Sequence, residues 1–318
     1  MTAATPPGIT ARNANRPLVS VGIPTFNRPE GLRRILECLA AQSYGQLEII
    51  VSDNASPGKE TGLVVRDFMS RDSRFKYYRQ RENRGPLFNF RFVLEQSSGE
   101  YFMWAADDDR LHSRFVEVLM GHFVNGDDSI VAIACEAQYT VRDEAQPLVR
   151  EGVQFYGTKF DSAYDRVRHV IQNGYGNLWY SIYKKRALFR NNRVVFDRLT
   201  STSLNEIPYF IQVAESGNWC VVPEVLFYKE TTQQIYLRAR WEAEGGHFEE
   251  RFWKRPFSVA ISVIYHGKAL CAIFASISQL RVVSRRERNR LYLLAVSVLS
   301  KHLFRWITNR KPRVLDNW

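Results

Sequence analysis

Three consecutive aspartates, Asp107-Asp108-Asp109, directly follow the apolar run Tyr101 to Ala106. Adjacent carboxylates repel one another, and a protein keeps such a cluster where a cation neutralises it. Hard oxygen donors of this kind suit Mg²⁺ or Mn²⁺, which bind through one or two carboxylates together with substrate phosphate oxygens. A divalent ion held there can neutralise charge developing on a diphosphate leaving group. Three further polar groups stand at comparable places: Pro24-Thr25-Phe26-Asn27-Arg28, Asp53-Asn54-Ala55-Ser56 and Asn83-Arg84-Gly85. Taken singly, each is an ordinary turn or helix cap. The chain has neither a G-x-x-x-x-G-K-[ST] loop nor a G-x-G-x-x-G motif, so P-loop and Rossmann dehydrogenase chemistry lack their phosphate-binding element.

These groups are positioned by a repeating pattern. Leu18 to Pro24, Leu47 to Ser52, Phe75 to Arg79, Tyr101 to Ala106 and Ile130 to Cys135 read as strands. Helical stretches separate them at Glu30 to Gln42, Thr61 to Ser70, Leu87 to Ser97 and Arg114 to Phe123. Leu32, Ile35, Leu36 and Leu39 share one helical face. Alternation of this kind predicts βαβ units, an α/β fold with a mostly parallel sheet and helices on both faces. Ligands of such sheets bind beyond the carboxyl ends of the strands, where all four polar groups fall. The middle is less regular, with a β-hairpin expected around Glu144 to Gln146 and a helix near Tyr164 to Gln172. Leu204 to Glu230 reads as a helix with Ile207, Phe210, Ile211 and Ala214 on one face, a stop at Gly217 and two short strands.

The 318 residues, 45% hydrophobic and 24% charged, suffice for a sizeable core. Four dispersed cysteines without a C-x-x-C pair argue against a disulfide framework or a structural zinc site. The polar, Pro-containing start does not read as a secretory signal and points to a cytoplasmic location. Charge is uneven. Residues 251–318 hold 14 Lys and Arg against Glu287 and Asp316, a net +12 of the whole-chain +11, so the rest of the chain is near neutral. A basic segment of this kind expects an anionic partner.

The order PTFNR, SDNAS, NRG, GEYFMWAADDD and LNEIPYFIQVAESG resembles the inverting glycosyltransferases of family 2, with the GT-A fold, from about Leu18 to Glu230. The resemblance implies transfer of a sugar from a nucleotide-sugar, a UDP-sugar in the first instance, to a hydroxyl of a glycan or lipid-linked saccharide in surface polysaccharide biosynthesis, with Mn²⁺ or Mg²⁺. It implies that Pro24 and Thr25 lie against the nucleotide base in a donor loop that includes Asn27. Asp53 would hydrogen-bond the base, Arg84 stand near the nucleotide, and Asp107 lie beside the ribose. Asp108 would hold the metal, with Asp109 sharing or taking over that role. Glu206 takes the place of the general base, where many members have Asp; its alternative is a helix-dipole partner. Where relatives carry Arg and then His, this chain offers Lys229 as a substitute. Trp179 is a candidate to stack on an acceptor sugar, and equally a buried strand residue.

The domain boundaries expected are a disordered arm at 1–17, a catalytic domain at 18–235 divided near 135 into donor and acceptor halves, and a basic helical extension at 236–318. In the extension, 257–280 and 291–307 read as amphipathic helices joined by 281–290, too short or too interrupted to span a membrane. They suit an anionic membrane surface, and thus a peripheral location on the inner face of the cytoplasmic membrane, or else a packed subdomain or oligomer contact. Two other functions compete: a sugar-nucleotide pyrophosphorylase, whose Gly-rich basic loop PTFNRPEG lacks, and nucleic-acid binding through the arginines, which leaves the Asp cluster unexplained.

Overall fold

The structure, a computed structural model, describes residues 16–124, 126–141, 157–173, 178–190, 193–194, 206–231, 267 and 270–308. The chain divides into two compact units. The first comprises Met1–Thr158, Gly176–Asp197 and Asn218–Gln233, the second Lys159–Tyr175, Arg198–Gly217 and Gln234–Trp318.

The first unit opens with β1 (Val19–Thr25), α1 (Pro29–Ala40), β2 (Leu47–Asp53), α2 (Glu60–Met69), β3 (Phe75–Arg79), α3 (Pro86–Glu95) and β4 (Tyr101–Trp104). It continues with β5 (Asp109–Leu111), α4 (Phe115–Val124) and β6 (Ile130–Val141), then β7 (Ile182–Lys184), the short pair β8 (Phe189–Arg190) and β9 (Arg193–Val194), and β10 (Asn218–Thr231). Eight strands form one sheet in the order β3-β2-β1-β4-β7-β6-β10-β5. β1 pairs parallel with β2 and β4, β2 with β3, and β6 with β10, while β7 and β5 run against their neighbours. The mostly parallel sheet is thus present.

Alternation along β1 sends Val19, Val21 and Ile23 to one face, where they share a core with Leu32, Ile35, Leu36 and Leu39 of α1, Val65 and Phe68 of α2, and Leu119 of α4. Gly22 points the other way, toward α3: a Cβ there would lie 2.6 Å from Val93. Helices therefore cover both faces.

In this unit two expectations need correction. After Gly217 there is one 14-residue strand, β10, where two were expected; it carries register shifts against β6 between Val222 and Phe227. Pro223 has no N–H to give the ladder, so it reads as a strand break, but a bulge accommodates it. The third aspartate, expected in a loop, begins β5, whose three residues are too few to show periodicity. The hairpin expected near Glu144 and most of the first 17 residues lie outside the described residues.

The second unit contains α5 (Ala163–Asn173), α6 (Glu206–Ser216), a helical stretch at 270–278, and α7 (Arg285–Thr308). Ser162 caps α5, its hydroxyl accepting from the Asp165 N–H at 3.0 Å. Of the segment 281–290, expected as a linker, only 281–284 lies between helices, because α7 already begins at Arg285. Ser284 and Glu287 form a reciprocal capping box that was readable as S-x-x-E. The extension shares its unit with α5 and α6. Gln212 of α6 donates to the Ser276 carbonyl at 2.7 Å, and buried Glu215 accepts from the backbone N–H groups of Arg281 and Val282. Arg166 of α5, also buried, donates to the carbonyls of Ala214 and Glu215. Among the described residues no helix is long and apolar enough to cross a membrane.

One buried ion supports the amino-terminal edge of the sheet. Glu48 is 5% exposed and accepts from Ser20 Oγ at 2.5 Å, Ser98 N at 2.9 Å and Lys76 Nζ at 2.5 Å. Burial works against its charge, but Lys76, Ser20 and Ser98 outweigh it and hold the carboxyl down to about 2. A depressed carboxyl contributes stability that is present above its ordinary value of 4.5 and lost as pH falls toward 2. Glu48→Gln is expected to lower the neutral-pH unfolding free energy by about 2 kcal/mol and to flatten its fall across that acid range, as read by urea titrations. An unchanged acid profile in the variant would refute this role.

Candidate active site

The carboxyl ends of β2, β1 and β4 lie side by side, and polar side chains gather there. Thr25 closes β1, is 2% exposed, and donates from Oγ1 to Asp107 Oδ2 at 2.7 Å. Three residues later one guanidinium nitrogen of Arg28 donates to Asp107 Oδ1 at 3.2 Å and to Asp108 Oδ2 at 2.8 Å. Arg28 is the N-cap of α1, and Pro29, whose fixed φ suits a first turn, starts the helix. That turn passes so near the cluster that a Cβ on Gly31 would stand 2.0 Å from the Asp107 carbonyl oxygen. Only glycine fits there.

Burial pushes the Asp107 carboxyl up, against the lowering effects of the Thr25 hydrogen bond and the Arg28 charge. The Asp107 charge in turn raises Arg28. Arg28 is thus the cation that lets two adjacent carboxylates stay together.

The loops after β1 and β2 are tied to each other. Asn27 and Ala55 occupy the left-handed region at φ 55° and 61°, a conformation that costs a non-glycine residue about 1 kcal/mol. The Asn27 N–H donates to Ser56 Oγ at 2.8 Å, and the Ser56 N–H donates to Asp53 Oδ1 at 2.8 Å. Asp53 is fully buried, and its other oxygen accepts from Tyr77 at 2.9 Å. Burial, and then that carboxylate, push the Tyr77 hydroxyl up to about 12, so it remains a donor. In this arrangement Asp53 organises its own loop.

Asn54 accepts from the Arg84 N–H at 3.1 Å, and the Arg84 guanidinium lies 3.8 Å from the centre of the Phe88 ring. Asn89 of α3 donates to the carbonyls of Ser52 at 2.8 Å and Thr25 at 3.3 Å, joining the ends of β1 and β2. Pro24 lies within β1 opposite Ser52.

The aspartate triplet is divided. Asp107 and Asp108 share Arg28, whereas Asp109, 2% exposed, pairs in register with Lys229 of β10. Directly opposed residues of antiparallel strands send side chains to one face, so this is a cross-strand pair of opposite charges. Lys229 Nζ also lies 4.9 Å from the centre of the Tyr180 ring. Trp179 is half-buried and stacks on fully buried Trp104 at 5.0 Å and 17°, with Phe90 at 5.7 Å. One face of its indole is therefore taken by protein. Glu206 is the first residue of α6, in the second unit.

Among the described residues no group of three or more His, Cys, Asp and Glu side chains forms a ready metal cage. The pair Asp107 and Asp108 nonetheless fits Mn²⁺ or Mg²⁺, because its oxygens already converge on one positive group and such ions complete their shells with water and phosphate oxygens.

The residues that sequence reading left without a role are Arg28, Ser56, Tyr77 and Asn89. Arg28 stood within PTFNR, and its placement in the loop beside the acidic cluster was the available signal. Ser56 likewise stood within SDNAS, whereas Tyr77 and Asn89 show no such signal.

Comparisons with known proteins bear on the family and the fold. The family model for Glycosyl transferase family 2 matches residues 20–191. A GalNAc(5)-diNAcBac-PP-undecaprenol beta-1,3-glucosyltransferase of Campylobacter jejuni subsp. jejuni is 25% identical over 87% of this chain and 99% of its own length. An uncharacterised glycosyltransferase of Rickettsia typhi is 26% identical over 56% of this chain and 55% of its own. Among solved structures, S. aureus TarS 1-349 in complex with UDP-GlcNAc matches with a TM-score of 0.61 at 14% identity, over 88% of this chain and 72% of that one. The mannosyltransferase PcManGT from Pyrobaculum calidifontis, in complex with GDP-Man and Mn2+, gives 0.50 at 15% identity, over 94% and 89%. At these identities the structural likeness shows the fold, GT-A.

Proposed function

The chain belongs to glycosyl transferase family 2 and is a glycosyltransferase, and from that premise we propose that it transfers a sugar, with inversion, from a UDP-sugar to a saccharide hydroxyl on a lipid carrier. The observation that carries the donor half is the cluster of Thr25, Arg28, Asp107 and Asp108 at the carboxyl ends of β1 and β4. The acceptor class rests on the name of the Campylobacter relative, which is matched along nearly its whole length.

Inversion needs one base, which takes the acceptor proton as its oxygen attacks the anomeric carbon opposite the diphosphate. Glu206 has that role in this reading. Thr25 and the tied loops after β1 and β2 hold the nucleoside end, and Asp107 and Asp108 are the residues that would hold Mn²⁺ or Mg²⁺. When bound, the ion supplies neutralisation of the departing diphosphate. Lys229 of β10 stands opposite Asp109 of the edge strand β5, and the exposed Arg84 side chain lies over the Phe88 ring.

A membrane-surface location accords with such an acceptor. On α7, Arg286, Arg290, Leu293, Val296 and Lys301 are all exposed and recur at helical spacing, so one solvent-facing stripe combines basic and apolar side chains.

Isothermal titration of the full chain tests the donor half. UDP with Mn²⁺ is expected to bind about tenfold or more tighter than GDP with Mn²⁺, and to lose affinity on chelation. Absence of binding by both nucleotides would overturn the reading, and a preference for GDP would replace the donor class.

A further inference from the structure

We infer that Arg28 is a resident counter-cation of the Asp107–Asp108 pair, which it must release before a divalent ion can bind, so that metal binding is coupled to arrival of the donor diphosphate. This rests on the donor-site reading above and adds a residue to it.

The argument is one of exclusion. A single Arg28 nitrogen lies 3.2 Å from Asp107 Oδ1 and 2.8 Å from Asp108 Oδ2. Mg²⁺ and Mn²⁺ need oxygens at about 2.1 Å, so an ion bridging these carboxylates would occupy the space that the nitrogen fills. On these two oxygens, Asp107 Oδ1 and Asp108 Oδ2, the guanidinium and a divalent ion are mutually exclusive. The pair carries two formal negative charges, one of which Arg28 offsets, and the field that attracts an added divalent ion is correspondingly weaker.

The side chain has room to leave, whereas its backbone does not. The Arg28 side chain is 56% exposed, but its carbonyl accepts from the Leu32 N–H at 2.9 Å as the first hydrogen bond of α1. Close packing of Gly31 against the Asp107 carbonyl holds that helix end beside the cluster. Arg28 can therefore swing only about a fixed root. A diphosphate is the ligand suited to draw it off, because a planar guanidinium binds phosphate oxygens by paired charged hydrogen bonds. The donor would thus release the carboxylates while bringing oxygens that complete the metal's shell. Coupling of this kind is reciprocal.

The experiment measures Mn²⁺ binding to the full chain by electron paramagnetic resonance of free Mn²⁺, without and with UDP. It compares wild type, Arg28→Ala, Arg28→Lys and the double variant Arg28→Ala/Asp108→Asn, with thermal melts to establish folding. Without nucleotide, Arg28→Ala is expected to bind Mn²⁺ about tenfold tighter than wild type, a gain of about 1.4 kcal/mol. Arg28→Lys should retain the weak wild-type affinity, and the double variant should lose the gain. UDP should tighten Mn²⁺ binding by a larger factor in wild type than in Arg28→Ala. A loss of folding alone would not raise Mn²⁺ affinity. If wild type binds UDP with Mn²⁺ but Arg28→Ala binds Mn²⁺ no tighter than wild type, this inference fails and the donor site stands. If the gain survives Asp108→Asn, it does not come through the Asp107–Asp108 pair and the inference fails likewise, whereas absence of binding of both UDP and GDP with Mn²⁺ by wild type is the failure of the donor-site reading itself.

Discussion

Replacement of Glu206 by glutamine is expected to lower turnover of sugar transfer by about 10²-fold or more while UDP affinity stays within about twofold. Glutamine keeps the length of the side chain and much of its hydrogen bonding, and it removes only the group able to accept the acceptor's proton. Glu206 is the first residue of α6, so the substitution falls at a helix end and not among the buried residues Tyr209, Phe210, Ile211 and Ala214 that hold the helix in its unit. A carboxylate serving only the helix dipole would be worth about 0.3–1 kcal/mol of stability and nothing in the chemical step. The two roles therefore differ in the quantity they move. Single-turnover rates at saturating acceptor, measured beside thermal melts, separate them: an unchanged chemical rate with a small loss of melting temperature would assign Glu206 to the helix terminus.

The second large effect is on solubility. Deleting residues 270–318 is expected to leave an aggregated or unfolded protein. The deletion removes the buried side chains Ile273, Ile277, Leu280, Val283 and Leu291. At about 1.5 kcal/mol or more each, their burial amounts to roughly 8 kcal/mol, comparable with the whole stability of a typical domain, about 5–15 kcal/mol. It would also leave Gln212 and the buried carboxylate of Glu215 without their partners at Ser276, Arg281 and Val282. Recovery of a soluble protein with a cooperative melt would contradict this account.

Truncation is consequently a poor probe of membrane binding, which the exposed stripe of α7 can test alone. Arg286→Glu together with Arg290→Glu is expected to leave the melt unchanged and to abolish co-sedimentation with anionic liposomes, since each basic residue near such a surface is worth about 1 kcal/mol. Co-sedimentation should also weaken with salt. Salt-insensitive binding, or none by wild type, would remove the membrane surface from the proposal.

Much of the fold was legible in the sequence because its signals are local. Leu32, Ile35, Leu36 and Leu39 announced a buried helix face by spacing alone, and all four are fully buried. The polar groups after successive strands could be placed at one sheet edge because parallel connectivity leaves them no other place. The order of five motifs, from PTFNR through the acidic triplet to LNEIPYFIQVAESG, was enough to identify the family. The capping box that starts α7 was equally local and equally readable, although the basic composition around it suggests a linker.

Partner choice was not legible. Nothing in the spacing of Asp107, Asp108 and Asp109 says that the first two share Arg28, some 80 residues earlier in the chain, while the third joins a short strand opposite Lys229. Asp53 has the residue type and strand-end position of a base-binding carboxylate, but its orientation was decided by Tyr77 on the neighbouring strand and by the Ser56 N–H. Trp179 was left between ligand and core until Trp104 covered one of its faces. The physical difference is one of range: helix and strand periodicity is fixed by backbone geometry within a few residues, whereas the state of a carboxylate depends on which cation or donor the folded chain brings within about 3 Å of it.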